Sequence, residues 1–154
     1  MSKSYKEPFL PVLRELARSF QAFEQFSAFH TRQMGLTPPQ FDVVATLGNT
    51  EGMTCKELSE KTLITKGTLT GVVDRLEEKG LVTRTTLEHD RRSVAIALTD
   101  AGHELFHKVF PAHLAYMKPA FEAFSEADLK QFCEQLSRLR LAFTDALEQQ
   151  KHED

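Results

Sequence analysis

Apolar residues recur at three- and four-residue steps through most of this 154-residue chain, and breaks in that rhythm mark where elements begin and end. Phe9, Val12 or Leu13, Leu16, Phe20, Phe23, Phe26 and Phe29 predict one long amphipathic helix ending near Met34-Gly35. Pro8 and Pro11 suit its start, where a missing N–H costs little. Five phenylalanines between Phe9 and Phe29 fit either a core stripe or a dimer seam. Thr37 as cap and Pro38 in the first turn open a second helix through Phe41, Val44 and Leu47, closed by Gly48-Asn49. Glu51-Gly52 reads as a loop. Farther on, Thr99 or Asp100 caps a helix from Ala101 toward Tyr116, in which Pro111 predicts a kink or break. Pro119 ends or restarts it. Ser125 with Asp128 then opens a last helix carrying Leu129, Phe132, Leu136, Leu139, Phe143 and Leu147.

The stretch from Thr54 to Leu98 has a different grammar. Thr54 followed by Glu57 is a capping-box signature and starts a short helix carrying Leu58. Thr62-Leu63-Ile64 interrupts it, and a second start at Thr65 leads into Leu69, Val72, Val73 and Leu76 on one helical face. Gly80 is suited to a left-handed exit. Leu81-Val82-Thr83 and Val94 to Leu98 read as strands, with His89-Asp90-Arg91-Arg92 at the turn between them. Two helices with a turn, then a hairpin, make a helix-turn-helix with a β wing.

These residues resemble the MarR-type winged-helix transcriptional regulators. The likeness runs through Leu36 to Phe41 (LTPPQF), Thr54 to Glu60 (TCKELSE), Leu69 to Arg84 (LTGVVDRLEEKGLVTR), Asp90 to Arg92 (DRR) and Ala97 to Gly102 (ALTDAG). It implies a mainly α (α+β) winged helix-turn-helix with long N- and C-terminal dimerisation helices. The expected organisation is a single domain over 1–154. Its winged helix-turn-helix covers about 37–98, with dimerisation helices at about 8–34 and 100–150.

Composition changes this picture little. No run approaches the ~20 apolar residues of a membrane helix, and no charged-then-apolar leader opens the sequence. Two cysteines, Cys55 and Cys133, do not make a disulfide framework, so a cytoplasmic protein is expected. Charge argues mildly against nucleic acid: the net value is −3, and Glu51 to Leu98 holds eight basic and eight acidic residues. DNA binding then depends on placement, with Glu77 and Glu78 in the body of the second helix and Lys66, Arg75, Arg84, Arg91 and Arg92 facing phosphate.

That second helix is the candidate reader, because its first turns can enter a major groove about 12 Å wide. Thr65, Lys66, Thr68 and Thr70 are its polar positions, with Gly67 permitting close approach and Arg75 farther along. Helix-start chemistry is the competing role for the threonines. Family members often carry two successive D-x-R units in the wing; here only Asp90 and Arg92 remain, the carboxylate orienting an arginine bound for the minor groove. Arg91 is the neighbouring contact.

The sequence also carries patterns that belong to other chemistries. His103-Glu104-Leu105-Phe106-His107 matches the H-E-x-x-H pattern of zinc hydrolases, yet the resemblance puts this segment in a linker helix and predicts no enzyme. Some resembling proteins sense zinc, for which Asp42, His103 and His107 are the candidate ligands. Cys55 sits in a first helical turn that favours thiolate, whereas peroxide-sensing relatives carry their cysteine near the start of the first helix. Family members also bind aromatic anions, and Arg14, Arg18, His30 and Tyr116 are the candidate pocket. The expected partners are a pseudo-palindromic double-stranded operator, a second copy of the chain and a small effector, with no membrane and no required cofactor. The expected activity is that of a repressor relieved by its effector. A winged helix used only for protein contacts is the alternative, and the neutral head with its incomplete wing motif favours it.

Overall fold

Three reciprocal caps decide where helices begin in the computed structural model, which describes residues 5–62, 64–87 and 90–153, without the side chains of Leu87, Asp90, Arg91 and Arg92. Gln40 N donates to Thr37 Oγ at 3.3 Å and Thr37 N to Gln40 Oε1 at 3.1 Å, opening α2 (Pro38–Leu47). Thr54 and Glu57 exchange the same pair at 3.0 and 3.2 Å and open α3 (Cys55–Thr62). Ser125 and Asp128 do so at 3.0 and 3.1 Å before α6 (Glu126–Glu153). Each box satisfies two backbone donors that the first helical turn leaves without partners.

The remaining helices are α1 (Leu10–Gln33), α4 (Lys66–Glu78) and α5 (Asp100–Met117), with a 3₁₀ turn at Lys118–Phe121. A three-stranded antiparallel sheet in the order β1-β3-β2 is built from β1 (Met53–Thr54), β2 (Val82–Leu87) and β3 (Asp90–Leu98). Chain contacts divide into two units, Met1–Tyr116 and Met117–Asp154.

In the first unit, Val43, Val44, Leu47, Leu58, Leu69, Val73, Leu76, Val82, Ile96 and Phe106 form one core under the helix-turn-helix and wing. Leu36, Phe41 and Val109 make a smaller cluster where α2 meets α5. By contrast α1 is buried only at Ala28 and Thr31. In the second unit, α6 has no buried residue, and its packing includes an edge-on contact of Phe124 with Phe132 at 5.0 Å.

Three expectations need correction. The wing strands are longer than Leu81–Thr83 and Val94–Leu98: Thr85 pairs with Ala95, Thr86 with Val94 and Leu87 with Asp90. Asp90, Arg91 and Arg92 are therefore strand residues rather than a turn, while His89 lies outside the described residues. The polar run after Thr83 hides this from hydrophobic pattern alone, because its partners are backbone groups. A third strand, β1, follows the Glu51-Gly52 loop and pairs Met53 with Ile96 and Thr54 with Ala95. Finally, α5 passes Pro111 without a break. Buried Phe106 and Val109 anchor it before the proline and buried His113 after it, and His107, whose carbonyl loses its partner, is exposed to water.

Candidate nucleic-acid interface

Leu69, Val73 and Leu76 fasten α4 to the core and leave its opposite side open. Lys66, Gly67, Thr68, Thr70 and Gly71 all lie on that exposed side, and a methyl group added at either glycine would meet no atom within 4 Å. The α3–α4 turn is tied by side chains: Ser59 Oγ donates to Ile64 O at 2.6 Å, and Thr62 Oγ accepts from Ile64 N at 3.4 Å. Thr65 is the extended N-cap of α4, yet its hydroxyl makes no capping bond and donates to Thr68 Oγ at 3.1 Å. Thr68 then keeps its own proton for an acceptor outside the head. Thr70 donates back to Lys66 O at 3.0 Å, which leaves its oxygen as an acceptor.

The far end of α4 closes with Gly80 at φ +72, where Gly80 N donates to Glu77 O and Leu81 N to Leu76 O. This Schellman exit turns the chain straight into the wing. Thr99 locks the same corner from the other side: its hydroxyl donates to Gly80 O at 2.6 Å and accepts from Gly102 N at 3.0 Å. Gly102 is required there because a Cβ would run into the Leu81 carbonyl. Lys79 Nζ also reaches Gly35 O and Gln40 Oε1, each at 3.4 Å. The reading helix is thus bonded at its end to both α5 and the α1–α2 junction.

Of the five basic residues expected to face phosphate, Lys66 and Arg75 are exposed on α4. The side chains of Arg91 and Arg92, and of the supporting Asp90, lie outside the described ones. Arg84 departs from expectation: it pairs with Asp74 at 2.6 Å and Glu77 at 3.1 Å, so its charge is turned inward to α4.

A second constellation lies where α1 meets α5. His30 stacks on Tyr116 with centroids 4.5 Å apart, and Phe26 on Tyr116 at 4.4 Å. Tyr116 Oη donates to Phe26 O at 2.8 Å. His113 is buried in the middle, with Nδ1 2.9 Å from His30 Nδ1 and Nε2 3.1 Å from Ser27 Oγ. Desolvation by burial, then the neighbouring His30, holds the His113 imidazole below the ordinary histidine pKa. One Nδ1 must donate and the other accept, so the pair keeps its bond only while it carries fewer than two charges. His30 and Tyr116 were anticipated together; Arg14 and Arg18 are exposed on α1 outside this cluster, and Arg18 pairs with Glu15 at 3.4 Å. His113 was missed, although its four-, three- and four-residue steps from Gly102, Phe106 and Val109 put it on the buried face of α5.

The zinc candidates do not converge. Among the described residues no group of three or more His, Cys, Asp or Glu side chains is placed to hold a metal ion, and that includes Asp42, His103 and His107. Their spacing fixed a shared helix for the histidines but no third ligand. Desolvation pushes the Asp42 carboxyl up to about 6 although the residue keeps exposed surface. Cys55 is half-buried and Cys133 exposed, both as free thiols. No described helix is long and apolar enough to cross a membrane.

Residues 36–94 match the model of the MarR family. The chain is 29% identical to the HTH-type transcriptional regulator MhqR of Bacillus subtilis (strain 168) over 88% of this chain and 93% of that one. It is 32% identical to the uncharacterized HTH-type transcriptional regulator YsmB of the same strain, over 70% and 74% respectively. In three dimensions it resembles AbsC, a MarR family transcriptional regulator from Streptomyces coelicolor, with TM-score 0.82, 23% identity and coverage of 94% and 99%. It also resembles a mutant MarR from E. coli complexed with operator DNA, with TM-score 0.76, 20% identity and coverage of 87% and 99%.

Proposed function

Because the chain belongs to the MarR family of HTH-type transcriptional regulators, we propose that it is a homodimeric repressor that reads a double-stranded operator by sequence. The observation that carries this reading is the open N-terminal half of α4, where Lys66, Thr68 and Thr70 stand exposed beside two unobstructed glycines. A helix enters the major groove by such a surface. Lys66 meets phosphate, Thr68 and Thr70 meet base edges, Thr65 orders Thr68, and Arg75 follows the backbone. Arg91 and Arg92, with Asp90 in support, supply the wing contact in the adjacent minor groove. The dimer is built from the apolar faces of the terminal helices.

Repression is relieved by a small aromatic anion acting at the Phe26, His30, His113 and Tyr116 cluster, where flat rings and imidazole donors meet. The bonds from Lys79, at the end of α4, to Gly35 after α1 and from Thr99 before α5 to Gly80 support a route from α1 and α5 to the reader.

Paired substitutions test the reading. Lys66→Ala is expected to weaken binding to every duplex and to lower the salt dependence by roughly one counterion unit per subunit. Thr68→Ala is expected to act on the ratio of specific to non-specific affinity, by about 1–3 kcal/mol. Titrations at stated salt that leave both quantities unchanged in both variants would transfer the chain to the class of winged helices used for protein contacts.

A further inference from the structure

The inward arginine of the wing has no part in the scheme above, and its setting gives it one. On β2, Val82 and Arg84 fall on the same face, since strand residues alternate. Val82 is buried in the core, while Thr83, Thr85 and Thr86 are exposed. Arg84 is thus the outermost described β2 residue tied to the head, and the hairpin beyond it projects toward the paired Leu87 and Asp90.

Its guanidinium spans α4. Nη2 contacts Asp74 Oδ1 at 2.6 Å and Thr70 O at 3.5 Å, and Nη1 contacts Glu77 Oε1 at 3.1 Å. Positions 70, 74 and 77 lie on one helical face, about two turns from end to end. Thr70 belongs to the exposed reading surface, so a single side chain links that surface to the outer wing. The Arg84 side chain is 28% exposed against 54% for Asp74, which places the charge between strand and helix rather than out toward a phosphate rail.

Resting on the DNA-binding reading, we infer that Arg84 is a positioning residue: it fixes the angle between wing and α4 so that both grooves are met together, and it contacts no phosphate. Two carboxylates on the reading helix itself look like a defect, because they repel DNA. As the anchors of Arg84 they become part of the recognition geometry. Losing that geometry costs sequence discrimination, while losing the carboxylates alone would only strengthen attraction to any duplex.

The two effects have opposite signs in one variant. In D74N/E77Q the full-length chain loses two negative charges per subunit but keeps Arg84 itself. Affinity for a random-sequence duplex is expected to rise, affinity for the selected operator to fall, and their ratio to drop about tenfold, comparable with losing one base pair of recognition. R84K, whose ammonium cannot fork to both carboxylates, is expected to lower the ratio in the same direction by less. It also carries the test if the double variant fails to fold. Operator and random-duplex affinities that rise together in D74N/E77Q, or a salt slope that loses a counterion unit in the charge-removing R84Q, would overturn the positioning role. A native chain that binds no duplex overturns the DNA reading and this inference with it, so the two failures are told apart by the unmodified protein.

Discussion

The reading head and the terminal helices use the same apolar spacing to opposite ends. In the head, Leu47, Leu58, Leu69 and Leu76 have no exposed surface, and Val73 has 1%. On α6, Phe132, Leu136, Phe143 and Leu147 are 45–59% exposed, and on α1 Phe20, Phe23 and Phe29 are 51–64% exposed. Burying such a side chain contributes about 1.5–3 kcal/mol, so two stripes left in water are a large unmet driving force. One set of apolar residues folds a subunit; the other, in the proposed dimer, is covered by a second copy of the chain. The difference predicts that the two regions respond to mutation and to protein concentration in different ways.

The largest expected effect is in the head. Leu47→Ala should remove about 2–5 kcal/mol of unfolding free energy, read by denaturant titration, because a fully buried leucine leaves a cavity. At a protein concentration that keeps the native chain dimeric, this loss should appear whatever the state of the termini. Next is the double change Leu136→Ala with Phe143→Ala. It should raise the dimer dissociation constant by about a hundredfold or more, seen by light scattering on dilution. A native chain that stays a folded monomer at high concentration would erase the contrast between the two regions.

A smaller effect separates the head from the junction of α1 and α5. The His113 pKa is lowered in the folded state, so the unfolded chain binds more protons below the ordinary value of 6.5. Its contribution is present in full above pH 6.5 and is lost as pH falls from there toward the lowered folded value. Asp42 has the opposite sign: raised from 3.8 to about 6, it favours the folded state in acid and loses that contribution as pH rises through about 6. Thermal melts of His113→Gln should therefore lose acid sensitivity just below pH 6.5, and those of Asp42→Asn should gain it. His30 from α1 and Tyr116 from α5 are the titratable groups in contact with His113, while α2 offers it the Phe41 ring. Unchanged profiles in both variants would detach stability from this junction.

What could be read from the sequence was mostly local. Thr37 as a cap, Thr54 with Glu57 as a capping box and Ser125 with Asp128 as a helix start were legible because each bond closes within four residues; that Gln40 answers Thr37 appears only in the structure. Gly80 was legible because few other residues accept its backbone. The missed features depend on distant partners. β1 is two residues long and exists only because β3 lies beside it. Arg84 was assigned to phosphate because sequence shows its charge and not the carboxylates waiting on α4. Arg14 and Arg18 were grouped with His30 and Tyr116 by their aromatic neighbours, but a helix of 24 residues carries them away from the junction. His113 drew no reading from the sequence, although its periodicity puts it on the buried face of α5.

In the proposed function two copies of this head read one duplex together. Selection of the native protein on random double-stranded DNA, followed by sequencing of the bound fraction, tests it most directly. Two α4 helices related by a two-fold axis meet major grooves ~34–36 Å apart on one face of the duplex. The account predicts a pseudo-palindrome with half-site centres about 10 base pairs apart. A bound fraction with no palindromic enrichment, from a chain that is folded and dimeric, would contradict it.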